Sequence, residues 1–377
     1  MYNQSEIFIS FLGNPFNDSR VINLFNSLKE NSISCDIIGF NWEADYNYPY
    51  HSGIEIIKLR KSNSIKFYFS FLISQFKALR KSNAKIYFAE DIYTLPLTIL
   101  IAKYRKAKVY YNSRELYSFI GGLRHRKYIQ KIITLIERWF INSAHLVLTT
   151  GEMDSEFLLQ RYGIQNSLVV RNIPLYKKET NPISLKEKLN LENDYIVLVY
   201  QGVLHEGRGI EKVIRLLDKF EKLHFAIIGE GPSRKKFESI VSECGVEKKV
   251  TFLGRVSHEE LMRITPTADI GLALIENISL SYYYALPNKL FEYIMAEVPI
   301  LSSNLPQMEK VVNQYKVGLV VDPENLDEIE SALNKLISQS DLYALKSNCK
   351  VASEELNWQK EFQKLFERIK KDLKIAV

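Results

Sequence analysis

The sequence predicts an α/β protein built from two doubly wound parallel sheets. Short β-branched and aromatic runs alternate with helical patterns along the chain, which is typical of strands wound with helices. The alternation pauses at residues 173–195, a segment with two prolines and a charged helix-like piece, and then resumes. A chain of 377 residues is also long for one hydrophobic core and sufficient for two.

Seven strands are predicted in the first half, where the sequence has apolar runs rich in Ile, Val, Tyr and Phe. They lie at residues 7–12, 35–40, 54–59, 85–89, 108–112, 146–150 and 168–172. The apolar stretch at 95–102 is too short to cross a bilayer and is predicted to be a buried helix.

A second series of strands begins at residue 196, and each strand is followed by a helical stretch or a turn. The strands are predicted in "IVLVYQG", "HFAIIGEG", "KVTFLG", "DIGLALI", "PILSS" and "VGLVV". We therefore expect a first domain at 1–175, a second at 176–355, and a closing helix at 356–377 that packs back toward the first domain. Ligands of such sheets bind beyond the carboxyl ends of the strands, so two facing domains predict a cleft between them.

Composition restricts the class of protein. With 46% hydrophobic residues the chain can fold without disulfides or metals, and its three scattered cysteines suit a reducing compartment. The first residues lack the charged and apolar regions of a signal peptide and predict a first strand instead. These features favour a cytoplasmic protein.

Charge is distributed unevenly along the chain. Residues 1–175 contain 22 Lys and Arg against 14 Asp and Glu, a net +8, whereas residues 176–377 contain 28 against 30, a net −2. The basic runs are either solvated helix faces or a surface for anionic phospholipid headgroups or a pyrophosphate-linked acceptor. Nucleic acid is not expected, because no nucleic-acid-binding motif accompanies the charge.

One helix start collects polar side chains. In "ALPNKLFEYIMAEVPILSS" a helix is predicted from Asn288 to residue 297 or 298, just before Pro299. Asn288, Lys289 and Glu292 are spaced three and four apart, so they can meet one ligand together. A helix N-terminus favours phosphate, Lys289 adds a full charge, and Glu292 can accept hydrogen bonds from sugar hydroxyls. The alternative is a solvated Lys–Glu pair on a surface helix.

The segment "LPNKLFEYIMAEVPILSSNLPQ" resembles the donor site of retaining glycosyltransferases of family 4, which have the GT-B fold. The resemblance extends over most of the chain. In the first half it covers "NDSRVINLFNSLKENSISCDIIGF", "YYNSRELY" and "IERWFINSAHLVLTTGEMDSEFLLQRYG". In the second it covers "YQGVLHEGRGIEKVI", "AIIGEGPSRKKF", "VTFLGRVSHEEL" and "NWQKEFQKLFERI".

The resemblance implies a donor site in the second half. Arg208, Lys289 and Glu292 are the expected catalytic residues, with the two cations on the diphosphate. The family's usual Arg after the turn glycine is Val203 here, so Lys289 is expected to replace it, and Tyr284 stands where the family has its first Glu. The expected donor-binding residues are Gly202, Glu230, Gly231, Arg255, Val256, Asn288 and Leu290.

On the acceptor side the resemblance implies Gly13 and Asn14 at the end of the first strand. It also implies Arg114 and Glu115, where Arg114 replaces a family His. An Arg cannot act as a base but can hold a hydroxyl or a phosphate. A Gly-Asn-Pro sequence is equally compatible with a simple turn.

The expected activity is a retaining, metal-independent hexosyltransferase that uses a nucleotide diphosphate sugar, with UDP favoured. No cofactor is expected. The acceptor would be a glycan or a lipid-linked hydroxyl in bacterial surface polysaccharide synthesis, reached at the inner face of the membrane. The alternatives are a nucleotide-sugar epimerase on the same fold and a sugar-binding protein without catalysis.

Overall fold

A computed structural model describes residues 5–42, 51–60, 62, 64–177, 181–338 and 342–375. The chain forms two compact units, one of Met1–Asn172 with Trp358–Val377 and the other of Ile173–Asn357. None of the helices in the described ranges is both long enough and apolar enough to cross a membrane.

The first unit contains a sheet whose described strands are all parallel. Its order is β3-β2-β1-β4-β5-β6-β7, so the direction of winding changes between β1 and β4. Three of these strands are buried along their whole length and two more at all but one residue, which explains why they read as continuous apolar runs. The strands are β1 (Ile7–Ser10), β2 (Cys35–Asn41), β3 (Ile54–Lys58), β4 (Ile86–Ala89), β5 (Lys108–Ser113), β6 (Leu146–Thr149) and β7 (Ser167–Val169).

Five helices connect these strands: α1 (Ser19–Glu30), α2 (Ser64–Lys81), α3 (Leu95–Arg105), α4 (Lys127–Phe140) and α5 (Glu152–Tyr162). Asp18 caps α1 by accepting a hydrogen bond from the Val21 amide, and Gly163 ends α5 in the left-handed conformation. The prediction that α3 is a buried helix is only partly right. Its Leu95 and Ile99 face the core, but Leu100 is 54% exposed.

The second unit contains the other parallel sheet, in the order β10-β9-β8-β11-β12-β13. Apolar clusters cover both of its faces. Its strands are β8 (Ile196–Gln201), β9 (Leu223–Ile228), β10 (Val250–Gly254), β11 (Ile270–Ala273), β12 (Ile300–Ser303) and β13 (Gly318–Val321). Its helices are α6 (Leu185–Lys188), α7 (Ile210–Ile214), α8 (Arg234–Cys244), α9 (His258–Ile264), α10 (Leu280–Tyr283), α11 (Asn288–Met295), α12 (Pro306–Tyr315), α13 (Leu326–Ile337) and α14 (Leu342–Glu355).

The sequence therefore located all thirteen strands that the described residues form, and the two parallel sheets confirm the predicted fold class. One helix boundary was wrong. Helix α11 ends at Met295 rather than at residue 297 or 298, because Glu297 adopts a left-handed φ of 59°. Its amide donates to the Ile294 carbonyl and closes the helix.

The last helix, α15 (Trp358–Leu373), belongs to the first unit. Trp358, Phe362, Leu365 and Ile369 form one buried face of this helix and join the core that α1 covers. The indole Nε1 of Trp358 donates to Ser27 Oγ at 2.9 Å, so the largest side chain of this contact is also satisfied as a donor.

We expect Trp358→Ala to lower the free energy of unfolding by about 3 to 5 kcal/mol, because it leaves a cavity between α1 and α15. Trp139→Ala is the matched control, since Trp139 is 65% exposed. The measurement is urea unfolding followed by circular dichroism. Equal effects of the two substitutions would show that α15 does not stabilise the first unit.

Candidate functional site

Three strands of the second sheet end in glycines with positive φ. These are Gly202 after β8, Gly229 after β9 and Gly254 at the end of β10, with φ of 127°, 138° and 71°. A Cβ on Gly229 would lie 2.0 Å from the Gly202 carbonyl oxygen, which no side chain can do. At Gly202 a Cβ would lie 3.6 Å from Lys289 Nζ. The absence of side chains therefore brings these strand ends together and leaves the Lys289 ammonium uncovered on that side.

Lys289 lies in the first turn of α11, whose N-cap residue Pro287 provides no side-chain hydrogen bond. Its Nζ is 3.5 Å from the centre of the Tyr200 ring, a cation–π contact. Arg208 stacks in the same way on Tyr282, at 4.5 Å. Aromatic faces thus support both cations, and neither has a carboxylate within ion-pair distance among the described residues.

The two cations also repel each other. Burial lowers the pKa of Lys289 well below its usual value, and the charge of Arg208 lowers it further, whereas Glu292 acts in the opposite direction. A protein rarely holds two unpaired positive charges together in a packed environment without a ligand that compensates them. The arrangement suits an anion with more than one negative charge, such as a diphosphate.

Glu292, one turn after Lys289 on the same helix, is held by a chain of hydrogen bonds. Gln201 Nε2 donates to its Oε2, and Thr265 Oγ1 donates to Gln201 Oε1 at 2.9 Å. The two bonds fix which end of the Gln201 amide faces Glu292. Gln201 and Thr265 were missed in the sequence. Gln201 could have been noticed as a polar residue that ends an apolar strand beside Gly202. Nothing in the sequence around Thr265 indicated a role in the site.

The other residues expected on the donor side are placed differently. Leu290 is fully buried in the core and its amide donates to the Pro287 carbonyl, so the expectation that it binds donor has no support in its side chain. Asn288 and Arg255 are exposed, and Val256 packs against the core.

Glu230 and Gly231 form the turn after β9. The Glu230 carboxylate pairs with Arg234 on the surface, while its carbonyl accepts a hydrogen bond from the Leu204 amide. A Cβ on Gly231 would lie 2.4 Å from the Leu204 carbonyl oxygen, so the glycine is required there by backbone packing. The turn therefore packs closely against the segment that follows β8.

In the first unit, Gly13 and Asn14 form a turn after β1. Asn14 Oδ1 accepts a hydrogen bond from the Phe16 amide, and the Gly13 carbonyl accepts one from the Phe40 amide at 2.8 Å. These bonds favour the simple-turn interpretation.

Arg114 is already paired within the first unit. Its guanidinium donates to both oxygens of Asp18, at 2.6 and 2.8 Å, and lies 3.4 Å from Glu90. Burial raises the pKa of Asp18, but the charge and hydrogen bonds of Arg114 outweigh it and hold that pKa below its usual value. Arg114 therefore stabilises the ends of the strands, whereas its neighbour Glu115 is exposed.

Three buried charged residues close to Arg114 were missed in the sequence: Arg20, Glu90 and Asp91. Asp91 accepts hydrogen bonds from the Leu12 and Thr94 amides, and burial raises its pKa to about 6. Arg20 is 2% exposed, and burial together with the charge of Arg114 lowers its pKa to about 10. Arg20 is far in sequence from the adjacent Glu90 and Asp91, and the ends of β1 and β4 bring them together.

Residues 183–352 match the family Glycosyl transferases group 1. The match covers a little less than half of the chain and contains all the residues placed around Lys289. The two parallel sheets with their helices match structures of the GT-B glycosyltransferase class.

Several known proteins are similar to this chain in structure or in sequence. Sucrose-phosphate synthase from Thermosynechococcus elongatus superimposes with a TM-score of 0.79 over 99% of this chain and 100% of that one, at 17% identity. Anabaena HepE in complex with UDP superimposes with a TM-score of 0.73 over 98% and 100%, at 15% identity. The alpha-D-kanosaminyltransferase of Streptomyces kanamyceticus is 26% identical over 168 residues, 44% of this chain and 42% of the relative. The matched segments cover 39 to 56% of the length of the first curated relatives.

We expect Lys289→Met to stabilise the second unit by about 1 to 3 kcal/mol, because it removes a desolvated charge that Arg208 repels. Since the folded-state pKa of Lys289 lies below the unfolded one, the unfolded chain binds more protons between the two values. The stabilisation should thus be full at low pH and shrink as pH rises through that window.

The measurement is the thermal midpoint of both proteins at several pH values. Lys248→Met is the control, because Lys248 is exposed and its substitution removes the same charge. If the Lys289→Met variant is less stable than wild type at neutral pH, the hypothesis that the buried ammonium destabilises the folded protein is contradicted.

Proposed function

We propose that this protein is a glycosyltransferase that moves a sugar from a nucleotide diphosphate donor to an acceptor hydroxyl. The observation that carries the proposal is the presence of two cations without a carboxylate partner among the described residues, Lys289 over the ring of Tyr200 in β8 and Arg208 over the ring of Tyr282 in α10. The pair lies in the segment that matches the glycosyltransferase group 1 family.

The chemistry requires the leaving diphosphate to be stabilised while the bond to the sugar breaks. Fixed positive charge at the place where negative charge develops is an effective way to do so. Lys289 and Arg208 would supply that charge, and anion binding would restore the depressed pKa of Lys289 toward its usual value. Glu292, held by Gln201, would accept hydrogen bonds from donor hydroxyls.

We further propose transfer with retention and without an enzymic nucleophile. The acceptor hydroxyl attacks the anomeric carbon on the face that the diphosphate leaves, and the departing phosphate oxygen takes the hydroxyl proton. No step requires a protein carboxylate near the sugar. The observation in support is that the residues around Lys289 offer cations and one carboxylate that is already hydrogen-bonded to Gln201.

UDP-sugars are the favoured donors, because the structurally similar HepE has been crystallised with UDP and with UDP-glucose. For the acceptor we propose a glycan or lipid-linked hydroxyl of a bacterial surface polysaccharide, handled in the cytoplasm at the inner face of the membrane. The basic first half of the chain supports an anionic or pyrophosphate-linked acceptor.

The test is a screen of nucleotide sugars for thermal stabilisation of the purified protein, followed by assays of transfer. A donor at 100 times its Kd should add about 2.7 kcal/mol to the stability. A transferase releases nucleoside diphosphate only when an acceptor is present. An epimerase would interconvert the donor without acceptor, and a binding protein would bind sugar and convert nothing; either result would overturn the proposal.

Transfer should not depend on an added metal, because the two cations would neutralise the diphosphate. In the part of the chain that the structure describes, no three His, Cys, Asp or Glu side chains form a group that could hold a metal ion. We expect the rate to be unchanged after dialysis against EDTA. Loss of transfer with EDTA and its recovery with Mg²⁺ or Mn²⁺ would contradict this mechanism.

Lys289 and Glu292 should affect different kinetic constants. We expect Lys289→Ala to lower kcat by about 100-fold with a smaller change in donor binding, because its charge acts mainly once the sugar bond has broken. Glu292→Gln should mainly raise the donor KM, because its hydrogen bonds do not change during transfer. The rise should correspond to a loss of about 1 to 3 kcal/mol of donor binding free energy.

The measurement is donor-dependent kinetics on both variants, with calorimetry of nucleoside diphosphate binding. Lys248→Ala serves as the control for loss of one exposed positive charge. If Lys289→Ala is folded and as active as wild type, the polar cluster at the start of α11 is only a surface pair.

A further inference from the structure

Helix α2 has an apolar stripe that faces away from the core. Its inner face is buried through Phe71, Gln75 and Leu79. Its outer face exposes large apolar side chains spaced three and four residues apart, a stripe along the helix. They are Ile65, Tyr68, Phe69, Leu72, Ile73 and Phe76, with exposed fractions from 38 to 85%.

The neighbouring helices continue this pattern. Helix α3 packs against both α2 and α4, so the three form one layer. Helix α4 exposes Tyr128, Ile132, Leu135 and Trp139, again three and four residues apart, and α3 exposes Leu100 and Tyr104. We call the exposed apolar residues of these three helices the outer face. Exposed apolar side chains gathered in this way mark an interaction surface.

The outer face is also positively charged. Lys66, Lys77, Arg80 and Lys81 lie beside the stripe of α2, and Lys131 and Arg138 lie beside that of α4. The three helices contain a single carboxylate, Glu137, which is buried and accepts hydrogen bonds from Tyr111 and Tyr162. The outer face thus combines apolar side chains with cations and presents no carboxylate of its own.

We propose that the outer face binds the surface of an anionic phospholipid bilayer. Helices that lie in a membrane interface bury an apolar stripe at the level of the headgroups and place Lys and Arg beside it. Tyr and Trp are suited to that depth, because each has an apolar ring and a polar atom. The stripes of α2 and α4 have this composition, and the cations beside them complement anionic headgroups.

A second copy of this chain fits the outer face less well. Two-fold association would place the same surface on both partners and bring cations against cations, with no carboxylate exposed on these helices to neutralise them. An anionic bilayer supplies both the apolar layer and the negative charge.

The experiment is co-sedimentation of the full chain with vesicles of phosphatidylglycerol and phosphatidylcholine, and with vesicles of phosphatidylcholine alone. We expect binding to the anionic vesicles that weakens as salt is raised. The assay contains no nucleotide sugar, so its result does not depend on the proposed glycosyl transfer.

Two matched pairs of variants separate apolar from electrostatic binding. The first is the double variant Tyr104→Ser with Ile132→Ser, at side chains that are 87 and 58% exposed. It should lower the partition coefficient for anionic vesicles about tenfold or more. The control is Tyr343→Ser with Val351→Ser, which are 84 and 60% exposed on α14.

The double variant Lys131→Gln with Arg138→Gln should lower the partition coefficient about thirtyfold. Its control, Lys248→Gln with Lys335→Gln, removes the same charge from the second unit and should have a much smaller effect. The proposal is overturned if the wild-type protein does not bind anionic vesicles at low salt, or if both outer-face pairs behave as their controls. A dimer in sedimentation velocity that Tyr104→Ser with Ile132→Ser dissociates would assign the surface to a second copy, and would also overturn it.

Discussion

The contact between the Gly202 carbonyl and Gly229 determines the shape of the candidate site. No side chain fits between these strand ends, since a methyl on Gly229 would be 2.0 Å from that oxygen. The bare turn after β8 leaves room above it, and the first turn of α11 brings Lys289 into this room. The position of the ammonium over Tyr200, and the hydrogen bond from Gln201 to Glu292, both follow from how β8 ends.

The cations at the carboxyl ends of the two sheets differ in whether they have carboxylate partners. In the first unit Arg114 is neutralised by Asp18 and lies close to Glu90, so the strand ends are held by an internal ion pair. In the second unit Lys289 and Arg208 have no such partner among the described residues. The same topology therefore pairs Arg114 with carboxylates in one unit and leaves Lys289 and Arg208 without a carboxylate among the described residues of the other. Uncompensated positive charge of this kind suits an anionic ligand.

The sequence predicted the strands well because parallel strands buried on both faces are continuous apolar runs. It also placed Lys289 and Glu292 in the first turns of one helix, where the structure has them, and their role in donor binding stays a prediction. It did not predict Gln201 or Thr265, because their hydrogen bond joins residues 64 positions apart. The burial of Leu290 follows from its helical spacing, whereas the ion pair of Arg114 with Asp18 could not be identified from local pattern because Asp18 is distant in sequence.

The position of α15 has a consequence for how the chain folds during synthesis. The first unit needs Trp358–Leu373 to complete its core, but residues 173–357 are made in between. At about 5 to 20 residues per second, the ribosome takes roughly 10 to 40 seconds to supply the missing helix. During that time the surface of α1 that will receive Trp358 stays open to solvent on the nascent chain. The first part to be synthesised is thus among the last to finish folding, and part of its apolar surface stays exposed in the interval.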